Sequence, residues 1–237
     1  MDDLPDNVIE RPELRDRVRV FRDRTDAGEV LADMLAEYRD SDALILAIPA
    51  GGVPVAAPVA RRLHLPLDVL VASKVLLPWT TEAGYGAVAF DGSVWINPDY
   101  VAHYGLDEAT VEAGVAAARK KVEHRVRRFR GDRPFPDLTN RTVILVDDGL
   151  AAGSTLRAAI TAAKNQGARH IVVAVPTGHL QSVLSLAPEV DRLYCANIRG
   201  GFSYAVADAY QNWYDVSEEE VETILERLGA EQDGNNL

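Results

Sequence analysis

The sequence predicts an α/β fold with a mostly parallel, doubly wound sheet and helices on both faces. Three observations predict it. Short continuous apolar runs alternate along the chain with stretches whose apolar residues recur at helical spacing. The runs are aliphatic throughout rather than at every second position, the pattern of strands covered on both sides. One run ends in two adjacent acids and a loop of small residues that leads through Gly-Ser-Thr into a helix. Open parallel sheets bind ligands at strand ends of this kind.

Each element follows from its own residues. Asp26-Ala-Gly-Glu29 opens a helix in which Val30, Leu31, Met34, Leu35 and Tyr38 share a face, with acids near its start. ALILAIP (43–49) is a buried strand, GVPVAAPVARRL (52–63) leads into a helix, and LDVLVAS (67–73) is a second buried strand. GAVAFDGSVWIN (86–97) has two alternating arms around Asp91-Gly92, which signals a hairpin inserted in the fold. A long helix from about 107 to 129 follows. Then come strand TVILVD (142–147), helix 154–166, strand HIVVAVP (170–176), a short helix near 178–186, strand DRLYCA (191–196) and an amphipathic helix over 216–228. With no repeat or linker, residues 1–237 are expected to form a single domain, with 230–237 a disordered tail.

Composition narrows the function. A net charge of −11 argues against a general nucleic-acid or anionic-membrane binder, which would present a basic surface. The single Cys195 forbids an intrachain disulfide and a cysteine-built zinc site, and VDRLYCANI places it as a small buried residue. The polar start MDDLPDNVIERPE shows no signal peptide, and the uncharged run 43–60 is broken by prolines and glycines. A soluble cytoplasmic protein is expected. His64, His103, His124, His170 and His179 share no metal-ligand spacing and are read as surface or capping residues.

The loop ILVDDGLAAGSTL (144–156) carries the chemistry. Nearly bare of side chains, it delivers free N–H groups to a helix start, a favourable place for a phosphate. Neither GxxxxGK[ST] nor a strand-linked GxGxxG is present, which removes the Walker and dinucleotide readings and with them a nucleotide-dependent oxidoreductase. Acids beside a phosphate cradle would repel the phosphate unless they face another part of the same ligand. The vicinal hydroxyls of a ribose fit, because each can donate to a carboxylate. The plainer alternative is that Asp147 and Asp148 end a strand and cap a turn.

VILVDDGLAAGST resembles the 5-phosphoribosyl 1-pyrophosphate (PRPP) signature of the type I phosphoribosyltransferases. FRDRTDAGEVLADML, ILAIPAGGVPVA, the hairpin, FRGDRP and AVADAYQNWYDVSEEEV resemble, in order, segments of a bacterial and archaeal subfamily of mostly unassigned substrate, over roughly residues 20–228. The resemblance implies the type I phosphoribosyltransferase fold with a small hood. It also implies a Mg2+-dependent transfer between PRPP and a nitrogenous base, purine-like as a first choice, in nucleotide salvage. A homodimer is expected.

It further implies roles for matching positions. Asp147 and Asp148 would hold the ribose hydroxyls and Mg2+, directly or through water. Ala151, Ala152, Gly153, Ser154 and Thr155 would cradle the 5′-phosphate. Ala50, Gly51 and Gly52 would form the pyrophosphate loop, with Lys74 reaching the pyrophosphate. Residues 76–97 would be a mobile loop and hairpin, in which 76–91 form a lid with Glu82 and Tyr85 near its tip. Trp79 would shield a base or anchor that lid. Tyr204, Tyr210, Trp213 and Tyr214 either cover the site as a hood or pack on a core helix.

Two departures stand out. Ala50 occupies a position where the subfamily usually has Arg, a charge-assisted contact of about 1.5–3 kcal/mol. Ala152 stands where it usually has Thr, and Ala151 offers no acid for the base. The rival function is therefore a non-catalytic PRPP- or nucleotide-binding regulator. The basic stretch ARKKVEHRVRRFRGDR (118–133) is read as a solvated helix face, with a neighbouring subunit's ligand or RNA as alternatives.

Overall fold

The structure is a computed structural model and describes residues 4–80 and 83–234. Six strands form one parallel sheet in the order β1 (Val8–Ile9), β9 (Arg192–Arg199), β8 (His170–His179), β7 (Thr142–Val146), β2 (Leu44–Ala47), β3 (Leu67–Val69). Every neighbouring pair is parallel. Because strand side chains alternate between faces, one aliphatic run feeds two cores. Ile45, Ala47, Ile144 and Val146 pack on one face with α1 (Arg24–Met34) and α2 (Gly52–Leu63). Leu44, Leu46, Val143 and Leu145 pack on the other with α5 (Ser154–Asn165) and α6 (Leu180–Leu186). Each fully buried aliphatic stabilises by about 1.5–3 kcal/mol, so continuous runs are what a doubly covered sheet requires.

The winding reverses between β2 and β7. From β2 the chain moves outward to β3, and from β7 it moves the other way to β8 and β9. Their carboxyl ends therefore border a crevice, the usual ligand position in such sheets.

A second, antiparallel sheet is built from β4 (Ala72–Leu76), β5 (Gly84–Ala89) and β6 (Val94–Ile96). The single strand expected over 67–73 is thus two, one in each sheet. Leu70 still donates to the Ala47 carbonyl (3.0 Å) and both Leu70 and Val71 are buried, so hydropathy runs unbroken across the switch. The hairpin forms where expected. Gly92 takes a φ of 89°, and the Asp91 carboxylate accepts from the Ser93 N–H (2.9 Å) and hydroxyl (2.7 Å).

Two caps divide the helical segment that follows. Asn97 accepts from the N–H groups of Asp99 (3.0 Å) and Tyr100 (3.3 Å), with Pro98 in the first turn, and starts α3 (Pro98–Tyr104). Asp107 accepts from Thr110 N–H (2.8 Å) and starts α4 (Glu108–Arg130). The short strand β1 and α3 were not anticipated from periodicity. The last helix, α7 (Glu218–Gly234), extends past position 230, and 235–237 lie outside the described residues. Among the described residues, no helix is long and apolar enough to cross a membrane.

α1 and α2 approach so closely that a Cβ on Gly28 would collide with the Val55 carbonyl and lie 2.5 Å from the Pro58 ring. Backbone cannot yield there as a flexible side chain could. Gly28→Val is expected to cost about 1–3 kcal/mol by overpacking, at about 2–4 °C in Tm per kcal/mol for a chain of this size. An unchanged melting temperature would show that the helices are free to separate.

Candidate functional site

The segment after β7 is shaped by its anchors. Asp148 N–H donates to the side chain of Asp147 (2.9 Å), Leu150 N–H donates to Thr177 O (2.9 Å), and His179 N–H donates to Leu150 O (2.9 Å). These bonds tie the loop to the extended end of β8. Gly153 takes a φ of 79° immediately before α5, a conformation that favours glycine. Among the described residues, no backbone acceptor meets the N–H groups of Ala151, Ala152 or Gly153. Ser154 and Thr155, in the first turn of α5, also have N–H groups without an intrahelical acceptor. The result is a set of amides at the positive end of a helix dipole.

The second loop follows β2. Its first residue, Ile48, donates to Val146 O (2.8 Å), and the Pro49–Ala50 peptide bond is cis. Gly51 lies against the Asp148 carboxylate so closely that a Cβ would overlap it. Gly52 plays a different part from the one expected of it. Its N–H is taken by Ile48 O (3.0 Å), and a Cβ would sit 2.5 Å from Val146 O, so it packs behind the loop.

Between the two loops opens a cleft of about 690 Å³. Ala50, Gly51, Lys74, Asp147, Asp148 and the whole run Ala151–Thr155 line it. Lys74 projects from β4, half-way along the strand rather than after it. Burial pushes the Asp147 carboxyl well above the usual carboxylate range, and the neighbouring Asp148 charge adds to this. Burial also raises Asp148, against the pull of Arg24 and Lys74. The acids are thus costly to ionise by themselves, as a pair that awaits hydrogen-bond donors or a cation would be.

Arg24 is the residue that sequence reasoning missed. Only 5% exposed, it donates from Nε to Asp148 Oδ2 (2.9 Å) and from Nη1 to Tyr214 O (2.9 Å). Its guanidinium lies 3.9 Å from the Trp213 ring centroid. Tyr210, itself buried, donates its hydroxyl to the Asp148 carbonyl (2.7 Å). Tyr210, Trp213 and Tyr214 therefore clasp Arg24 and the acid-pair loop, while Tyr204 donates to Thr177 (3.3 Å). A Cβ on Gly149 would strike Val206, so this segment rests directly on the loop.

The lid expectation needs correction. Of residues 76–91, Leu76 and Gly84–Ala89 belong to paired strands, and Tyr85 is a fully buried core residue of β5 whose hydroxyl faces Thr110 O (3.5 Å). Its aromatic side chain fits an alternating strand, a pattern equally compatible with a loop tip in sequence. Trp79 is 62% exposed and packs edge-on against Tyr104 rather than lining the cleft. Glu82 lies outside the described residues.

The basic stretch presents a solvated face, with Arg119, Lys120, Glu123, His124 and Arg127 exposed, but not all of it is free. Arg128 is tied to Glu218, Glu219 and Glu222 of α7, and Arg130 is buried against Asp68. Lys121 and Arg125 line the cleft. The signal was a stripe, Gly114, Ala118, Lys121, Arg125, at helical spacing that leads into the charge run.

Among the described residues, no group of three or more His, Cys, Asp or Glu side chains could hold a metal. Asp147 and Asp148 still supply oxygen donors of the kind Mg2+ takes when a substrate's phosphates complete its shell. Cys195 is buried, as expected, and burial pushes its thiol up.

A family model described as "Phosphoribosyl transferase domain" matches residues 24–186. Two proteins of Mycobacterium tuberculosis, from strains CDC 1551 and H37Rv, are each 38% identical over 210 residues, 89% of this chain and 47% of their own length. The H37Rv protein is named "Putative phosphoribosyl transferase Rv0571c". The chain thus spans about half the length of these curated relatives. The crystal structure of TT1426 from Thermus thermophilus is 36% identical, with a TM-score of 0.70, and the alignment covers 86% of this chain and 97% of that one.

Proposed function

The chain belongs to the phosphoribosyl transferase domain family, and from that premise we propose that it transfers a 5-phosphoribosyl group between PRPP and a nitrogenous base, with pyrophosphate as co-product. One observation carries this: an acid pair and a run of free amides, with Lys74 beside them, face a single cleft at the reversal of the sheet. The amides of Ala151–Gly153, with Ser154 and Thr155, bind the 5′-phosphate. The carboxylates of Asp147 and Asp148 accept from the ribose hydroxyls. Ala50, Gly51 and Lys74 bind the pyrophosphate.

Displacement at the anomeric carbon passes through an oxocarbenium-like centre, so rate comes from a fixed sugar and stabilised leaving charge. Fixed amides and the Asp148–Arg24 pair hold the sugar without reorganisation. Asp147 and Asp148 would hold Mg2+, which when bound neutralises charge on the departing pyrophosphate. The alanine at 152 leaves the cradle intact because its donors are backbone groups.

Pyrophosphate release from PRPP, measured with Mg2+ and a panel of purine, pyrimidine and pyridine bases, tests the proposal. Base-dependent release is expected. PRPP binding without release for any base would support the regulator instead, a function for which the alanine at position 50 leaves room. Failure to bind PRPP would remove both.

A further inference from the structure

We propose that α4 supplies a cationic wall for the pyrophosphate end of the substrate, with Lys121 as the contacting residue and Arg125 beside it. In this way a helix carries charge that the loop lacks at Ala50. The inference rests on the phosphoribosyl transfer proposed above and names a binding residue for it.

The geometry comes from one helix face. Gly114, Ala118, Lys121 and Arg125 follow at intervals of four, three and four, and all line the cleft. The two small residues lie where β4 and β5 press on the helix, as a Cβ on Gly114 would collide with the Tyr85 hydroxyl and lie 2.9 Å from Val75. The next positions along the same face are cations. They line the cleft together with Ser73 and Lys74 of β4 and with Ala50 and Gly51.

Three cations, Lys74, Lys121 and Arg125, line the cleft from this side. Among the described residues, neither Lys74 nor Lys121 makes a side-chain hydrogen bond or ion pair. Arg125 donates to Glu218 (2.9 Å), but that carboxylate is shared with Arg128 (2.9 Å) and His124 (3.3 Å). Desolvation holds the Lys121 ammonium below its ordinary value; the charge of Arg125 adds to this, that of Glu218 opposes it, and that of Lys74 adds a smaller push. Like charges held together beside an open cleft favour a multiply charged anion. The amide run after β7 suits a single phosphate, whereas lysines in a cleft bind phosphates as point charges without fixed direction. Pyrophosphate is the more highly charged end of PRPP, and Lys74 already lies on its side.

The test is calorimetric titration of the full chain with inorganic pyrophosphate, PRPP and ribose 5-phosphate, for wild type, Lys121→Gln and Lys121→Arg. Among the described residues Lys121 has no ion pair to break, and equal melting temperatures verify that the fold is kept. Lys121→Gln is expected to weaken pyrophosphate and PRPP by about tenfold or more and to leave ribose 5-phosphate unchanged, while Lys121→Arg restores most of the loss. Wild-type affinity for pyrophosphate and PRPP in Lys121→Gln would overturn the inference. So would an equal loss for ribose 5-phosphate, which would mark a general disturbance of the cleft. A wild-type chain that binds neither PRPP nor ribose 5-phosphate overturns the transfer reaction itself and this inference with it. That outcome is distinguishable because no variant is needed to see it.

Discussion

Asp147→Asn is expected to raise the melting temperature of the ligand-free protein, whereas Asp148→Asn is expected to lower it, and both should weaken ribose 5-phosphate by about tenfold or more. The two acids are neighbours in sequence but differ in what surrounds them. Asp147 is held by one backbone N–H, from Asp148, and its charge is opposed by burial and by the adjacent carboxylate. An asparagine there keeps an oxygen for that N–H and removes the charge. A gain of about 1 kcal/mol, or 2–4 °C in a chelator-containing buffer, follows. Asp148 is the counter-ion of buried Arg24 at 2.9 Å. An asparagine there leaves the guanidinium without its carboxylate, and the melting temperature falls. Loss of binding together with a gain in stability is the expected mark of a group placed for a ligand. If both variants melted lower and bound ribose 5-phosphate as wild type does, the acids would be structural alone.

Arg24→Ala is expected to be the most destabilising single change near the site. Removing one partner of a buried ion pair typically costs about 3–5 kcal/mol, which for a chain of this length lowers Tm by roughly 10 °C. The substitution also removes the bond to the Tyr214 carbonyl and the stacking on Trp213. Arg24→Lys keeps the charge but has neither the planar fork nor the face that stacks, so it should recover only part of the loss. Thermal melts of the three proteins measure this order. An Arg24→Ala variant that melts within 1–2 °C of wild type, roughly the shift of 0.5 kcal/mol, would mean that the clasp contributes little.

What the sequence disclosed and what it withheld follow from the range of the interactions involved. The acid pair, the amide run and Gly153 lie within one strand–loop–helix unit, so their spacing was legible. The doubly wound sheet was legible too, because covering on both faces demands unbroken aliphatic runs. Arg24 and Trp213 are far apart along the chain and meet only through the fold, so neither announced the other. Leu70 and Val71 carry the chain between sheets without any polar residue to mark the change. Tyr85 illustrates the opposite error, for an aromatic near a glycine reads as a loop tip until its strand is seen paired on both sides. Lys121 was hidden inside a charge run in which Arg128 serves ion pairs with α7 and Arg130 one with Asp68, and only the helical period separates it from them.

The central claim is that carboxylates hold the sugar's diol while amides hold its phosphate. Titrating the protein with ribose 5-phosphate and 2-deoxyribose 5-phosphate under identical conditions tests it most directly. The deoxy sugar should bind at least about tenfold more weakly to wild type, and Asp148→Asn should narrow that difference. Equal affinity of wild type for the two sugars would contradict the claim.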